Sequence, residues 1–295
     1  MRRLFAILLA PLALLFGGPT AAEPAAFSSD RITVQVQGVG PDVVLVPGLT
    51  STPAIWADTV AAVPGYRYHM VQVGGFAGAP AGANADGPVV APVAEEIARY
   101  IREAGLKDPA LVGHSLGGTW VMMVAARNPG VASRVMVVDM VPFLGVFYGP
   151  PGTTVETVKP IAAQIRDALR NAGEAERKAR VEATIATMVK TESLRAGPIQ
   201  HSLTSDQAVG AQAMYDLLTL DLTPELPKIQ VPLTVLWVRA PNVPITEQML
   251  GGIYAAVYAP APQAKVINIP DAWHFIMLDA PDRFRQELRS FLAGS

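Results

Sequence analysis

Ala110-Leu111-Val112-Gly113-His114-Ser115-Leu116-Gly117-Gly118 places an apolar run, a serine flanked by glycines and the approach to a helix side by side. The run has the length and composition of a buried strand, and the pattern after the turn predicts a helix over 120–127. Gly113-x-Ser115-x-Gly117 is the spacing at which a serine is thrust out of a sharp strand-to-helix turn. Such a turn leaves no room for Cβ atoms two positions either side of the serine, hence glycine at both. The free N–H groups at the start of the following helix would face the reaction centre, where an oxyanion would form.

The flanking sequence repeats the strand–helix alternation. Residues 31–37 alternate in strand fashion, with Ile32, Val34 and Val36 on one face. Residues 42–46 form a nearly continuous apolar run that ends in Pro47-Gly48-Leu49-Thr50-Ser51, a turn that brings backbone N–H groups to the end of a buried strand. A helix over 54–63 carries Trp56 as a core residue. A strand over 66–73, a Gly/Ala-rich loop over 74–87 and an amphipathic helix over 89–104 follow, the helix gathering Val93, Ile97, Tyr100 and Ile101 on one face. Beyond the serine, residues 135–138 read as a buried strand ending at Asp139. Repeated strand–helix–strand units predict an α/β fold with a mostly parallel sheet flanked by helices.

From Pro142 the pattern changes. Residues 143–154 are aromatic and rich in Gly and Pro, and 155–190 are helical and charged without a strand signal. An insertion of this length in a compact domain is usually functional, and 142–225 are assigned to a helical cap. The sheet resumes over 231–238, followed by a helix over 245–258, a strand over 264–269 and a closing helix over 282–292. The core is thus expected over 23–141 and 226–295.

Arg2 and Arg3, an apolar run over 4–16 interrupted by Pro11, and the small residues Thr20-Ala21-Ala22 have the layout of an export signal over 1–22. The run falls short of the roughly 20 apolar residues a spanning helix needs. Cleavage before Glu23 would put the mature chain in the periplasm or outside the cell and take its net charge from −2 to −4. A hydrophobic content of 51% with 16% charged residues supports a substantial core, and the slight acidity offers no footprint for nucleic acid. With no cysteine and no ligand spacing among its four histidines, the chain gives no support for a metal site.

A serine hydroxyl is a poor nucleophile until a base takes its proton. His274 is the best candidate, since it follows the last strand in Pro270-Asp271-Ala272-Trp273-His274-Phe275, just ahead of the final helix. His114, on the turn itself, is read as structural, and His69, within a strand, as core. His201 falls in the cap, at its surface or in a pocket wall.

Val46-Pro47-Gly48-Leu49, Gly113-His114-Ser115-Leu116-Gly117-Gly118, and His274-Phe275 followed by Asp279, Pro281 and Phe284 together resemble the α/β-hydrolase superfamily, over residues 31–295. The resemblance implies Ser115 as nucleophile, His274 as base, and the backbone N–H groups of Leu49 and Leu116 as oxyanion donors. Pro47 stands where many members have histidine. Most members carry the third residue, an acid, after the strand that follows the cap, yet Val238-Arg239-Ala240-Pro241-Asn242-Val243-Pro244 contains no carboxylate. A minority, some haloalkane dehalogenases among them, carry it after the strand that follows the nucleophile helix. Asp139 has that place, Glu247 is second choice, and Asp271 is close in sequence to His274.

The expected activity is that of a periplasmic or secreted serine esterase with a small-molecule substrate and no cofactor. A lactone or amide could use the same residues, and a non-catalytic binding protein on this fold is the remaining alternative. A dehalogenase would want a carboxylate at position 115. Phe143, Phe147, Tyr148, Met188 and Met214 are candidates for an apolar lining beneath the cap.

Overall fold

The computed structural model describes residues 27–241 and 244–294. The expected export signal over 1–22 lies outside the described residues. Seven strands, β1 (Ile32–Gly38), β2 (Asp42–Val46), β3 (Arg67–Val73), β4 (Ala110–His114), β5 (Arg134–Val138), β6 (Leu233–Trp237) and β7 (Ala264–Asn268), form one sheet. Their order is β1-β3-β2-β4-β5-β6-β7. Only β1 runs antiparallel to its neighbour. The expected α/β fold, a mostly parallel sheet with a helical insert, is the one observed.

The pattern of each strand follows from its position. β4 and β6 are buried at every residue, as continuous apolar strands covered on both faces should be. β1 lies at the edge, so its alternation is only half used: Ile32 is buried while Val36 is exposed. One face of the sheet is covered by α2 (Val90–Glu103), α3 (Leu116–Arg127) and α8 (Glu247–Tyr258). The other packs against α1 (Ala57–Ala62) and α10 (Pro281–Ala293), where Trp56 stacks on Phe284 with ring centroids 6.0 Å apart. Trp56 is fully buried, a core residue as its sequence context implied.

Three boundaries differ from the sequence reading. The expected helix over 54–63 begins as a 3-10 turn, Pro53–Trp56, because proline fixes the first turn. The helix after Ser115 starts at Leu116 rather than at 120, since the poor helix formers Gly117 and Gly118 are overridden by burial against the sheet. The charged stretch over 155–190 is two helices, α4 (Val155–Asn171) and α5 (Glu174–Met188), broken at Ala172-Gly173. The insert continues through α6 (Ala196–Thr204) and α7 (Gln207–Leu218). A short helix, α9 (Ile276–Asp279), precedes α10. Among the described residues no helix is long and apolar enough to cross a membrane.

The sheet order positions the site. β2, β4 and β5 are adjacent and parallel, so Leu49, Ser115 and Asp139 emerge side by side from the same edge.

Candidate active site

Ser115 sits at the turn between β4 and α3 with φ 55° and ψ −125°, a conformation that a side chain rarely adopts. The backbone is held there by the Ser115 N–H, which donates to the Val138 carbonyl at 2.9 Å, and by the Ser115 carbonyl, which accepts from the Gly118 N–H at 2.7 Å. A Cβ on Gly113 would lie 2.1 Å from the Gly117 carbonyl oxygen, and one on Gly117 would lie 2.1 Å from that of Val46. Both glycines are therefore demanded by backbone approach. A Cβ on Gly48 would come within 2.9 Å of the Ser115 Cβ, which shows how closely the turn after β2 lies against the serine.

The Leu49 N–H has no protein acceptor among the described residues, and Leu116 is the first residue of its helix, where no preceding turn can accept its proton. These are the two groups expected to act as oxyanion donors.

Asp139 ends β5 with φ 54° and a side chain that is 11% exposed. His274 Nδ1 donates to Asp139 Oδ2 at 2.6 Å. Oδ1 accepts from the Tyr254 hydroxyl at 3.1 Å and the Val238 N–H at 3.3 Å. Because an ionised carboxylate only accepts, the proton of neutral His274 lies on Nδ1 and Nε2 keeps its lone pair. No protein group among the described residues bonds to that Nε2. Burial and the adjacent Asp139 charge push the Tyr254 hydroxyl well above its ordinary range, so it stays a donor.

The loop carrying His274 is fixed from both sides. Asp279 accepts from the N–H groups of Trp273, Lys190 and Thr191, and the Phe275 N–H donates to the Met188 carbonyl at 3.2 Å. Asp279, one of the positions that carried the family resemblance, thus fastens this loop to the end of the insert.

The alternative acids lie elsewhere. Glu247 is exposed at the start of α8 and accepts from the Asn268 side chain, and Asp271 is 92% exposed beside Lys190. His69 is buried and bonded to Tyr100 and Asp42, which makes it a core residue.

Ser115, His274 and Asp139 line one cavity of about 560 Å³, a size typical of small-molecule sites. Phe147, Tyr148, Met188 and Met214 contribute to its walls, as expected of an apolar lining. Phe143 does not. It is buried and packs against Gly145, where the chain turns out of the sheet. His201 reaches the cavity from α6 with a buried Nδ1 that has no partner among the described residues.

Residues 43–287 match the alpha/beta hydrolase family. The chain belongs to that family. This hydrolase is 27% identical over 210 residues to an sn-1-specific diacylglycerol lipase of Mus musculus. The match covers 68% of the chain but only 64% of the mouse protein, so the chain spans less than two thirds of that relative. It is 26% identical over 215 residues to a pimeloyl-[acyl-carrier protein] methyl ester esterase of Vibrio atlanticus, covering 72% of the chain and 80% of that enzyme. Among solved structures, the enol-lactonase of Burkholderia xenovorans LB400 superposes with a TM-score of 0.72 at 18% identity, over 89% of this chain and 96% of the other, a likeness of fold.

Two contacts in the hydrolase had no local sign in the sequence. Tyr254 lies in a helix whose position was legible, but nothing near it announces that its hydroxyl meets Asp139. The Thr50 hydroxyl meets that of Ser202 at 2.9 Å, so the turn after β2 is joined to α6. Both depend on elements brought together only by the completed fold.

His114 is fully buried and lies 4.7 Å, centroid to centroid, from His274. Its Nε2 donates to the His274 carbonyl at 2.9 Å, and its Nδ1 is buried without a partner among the described residues. Burial above all, then the neighbouring His274, pushes the His114 imidazole well below its ordinary 6.5, so it is neutral when folded. The unfolded chain takes up a proton there below that pH. The stability linked to His114 is thus complete above about pH 6.5 and is lost as pH falls below it. His114→Gln, which keeps a donor for the carbonyl but does not titrate, should show a smaller fall in Tm between roughly pH 7 and pH 5 than the parent chain. Thermal unfolding at the two pH values checks this, and an equal fall in both proteins would contradict it.

Proposed function

We propose that this chain is a serine hydrolase cleaving carboxylic esters by acyl transfer, with Ser115 as nucleophile, His274 as general base and Asp139 as the carboxylate that orients it. The observation that carries the reading is the 2.6 Å hydrogen bond from His274 Nδ1 to Asp139 Oδ2, in the cavity that Ser115 also lines. His274 Nε2 takes the Ser115 proton as Oγ bonds to the ester carbonyl carbon. The carbonyl electrons move to its oxygen, which the Leu49 and Leu116 N–H groups stabilise. Collapse of this intermediate breaks the bond to the alcohol, which leaves with the proton held by His274. Water then attacks the acyl-enzyme carbonyl, giving a proton to His274, and as the Oγ–acyl bond breaks His274 returns that proton to Ser115 Oγ and the acid product leaves. Asp139 holds the imidazole in the required tautomer and stabilises its cation.

The ester preference is supported by the lipase and esterase relatives in sequence. A lactone presents the same carbonyl to the same groups, and the chemistry above applies to it unchanged. A fluorophosphonate should form a covalent adduct with Ser115, and a panel of esters, lactones and amides should show turnover fastest among the esters. Absence of both adduct and ester turnover in a folded sample would sink the reading. A panel led by lactones would reassign the substrate class and leave the residue roles in place.

A further inference from the structure

A second cavity of about 190 Å³ lies between the helical insert and the turn after β2, beside the first. The two share Leu49, Thr50, Thr184, Ile185, Ser202 and Met214. Two helices run past both in the same order. On α5, Met188 lines only the first cavity, Thr184 and Ile185 line both, and Val181 and Arg177 line only the second. On α7, Leu217 lines the first, Met214 both, and Gly210 and Gln207 the second. At about 1.5 Å per helical residue, each helix traces a path of roughly 15 Å leading away from the Ser115 cavity. The two cavities together are therefore elongated along these helices, with Leu49 among the residues at their junction.

Most of the polar side chains around the second cavity are already hydrogen-bonded within the protein. Arg177 donates to the Ser202 and Ser205 carbonyls at 2.9 and 2.6 Å, and Gln207 donates to the carbonyls of Leu169, Arg170 and Ala172. Asp206 accepts from the Ala208 and Val209 N–H groups, and the Ser202 hydroxyl is paired with that of Thr50. These groups close helix ends and loops of the insert. A polar ligand would have to break such bonds, whereas a hydrocarbon chain would only bury its surface against Leu49, Val181, Ile185, Ala211 and Met214.

We propose that the second cavity receives the far part of an unbranched acyl chain whose ester carbonyl lies at Ser115, which makes long-chain acyl esters the substrate class. The inference rests on the reading of Ser115 as the nucleophile. A compact acyl group fills only the first cavity and forfeits this burial.

Gly210 offers the test. Its φ lies outside the left-handed region, and a Cβ there would meet only the Thr50 Cγ2, at 3.4 Å, so a larger side chain projects into the junction. The kcat/KM of the parent chain for p-nitrophenyl dodecanoate should exceed that for the butanoate. Gly210→Leu should lower the dodecanoate-to-butanoate ratio at least about tenfold, the scale on which a lost hydrophobic pocket discriminates. Val181→Phe, which fills the cavity from the half-exposed face of α5, should lower the ratio in the same direction and serves if Gly210→Leu fails to fold. A parent chain that favours butanoate, or folded variants with an unaltered ratio, would overturn the chain-length assignment while leaving the hydrolase reading standing. No turnover of either ester, with no phosphonate adduct at Ser115, would overturn both.

Discussion

Ser115→Ala is expected to leave the protein folded and to lower ester turnover by about three to six orders of magnitude. The expected size follows from the behaviour of triad enzymes, in which loss of the nucleophile removes covalent catalysis and leaves only binding and oxyanion stabilisation. The fold should survive for a local reason. The turn is held by the Ser115 backbone, through the Val138 carbonyl and the Gly118 N–H, and alanine keeps both bonds and the same Cβ in the tight space beside Gly48. The positive φ costs alanine much what it costs serine. Circular dichroism and the unfolding midpoint establish the fold, and initial rates with one ester establish the loss. Turnover within about tenfold of the parent would remove Ser115 from the reaction.

Asp139→Asn is expected to cost roughly 10⁴ in turnover, through the tautomer of His274 rather than through packing. In the parent, Oδ1 accepts from Tyr254 and Val238 while Oδ2 accepts from His274. An asparagine that keeps its oxygen toward Tyr254 must turn its NH₂ toward His274 Nδ1. That nitrogen must then accept, which moves the imidazole proton to Nε2 and leaves no lone pair there for the Ser115 proton. The negative charge facing the imidazolium is lost as well. Glu247→Gln, at an exposed position bonded to Asn268, should change turnover by no more than about twofold. Both variants are assayed with one ester after their folding is checked. A large loss in Glu247→Gln with a small one in Asp139→Asn would move the acid to the segment after the insert.

The sheet was legible because its inner strands are continuous apolar runs and the glycines around Ser115 answer to local geometry. Gly113 faces the Gly117 carbonyl where a Cβ would stand, a constraint written within five residues of sequence, whereas Gly117 answers to the Val46 carbonyl on β2 and only the recurring turn pattern gave it away. The adjacency of Asp139 and His274 was accessible only through family resemblance, since 135 positions separate them. Helix starts were less legible. Gly117 and Gly118 argue locally against a helix that burial then imposes, and the break at Ala172-Gly173 is a weak signal inside a long charged pattern. Tyr254 and Ser202 were not legible at all, because their partners lie on other elements and a hydroxyl on a helix gives no sign of what it will face.

The Thr50–Ser202 contact bears on how such a protein can change over generations. Thr50 follows Leu49 with φ 55°, and Ser205 binds the Ala77 N–H at 2.8 Å, so two serines of α6 and its end grip two core loops. The insert is thus more than a lid that lineages can trade to acquire new substrates. A chimera carrying a relative's insert would inherit that relative's chamber, but unless it brought hydroxyls at these two places it would also lose the brace on the turn that carries Leu49. The other walls are tied as well, since Asp216 of α7 accepts from the Val89 and Val90 N–H groups and the Met188 carbonyl at the end of α5 accepts from the Phe275 N–H, so each helix that shapes the chamber also carries a bond that holds the core in place.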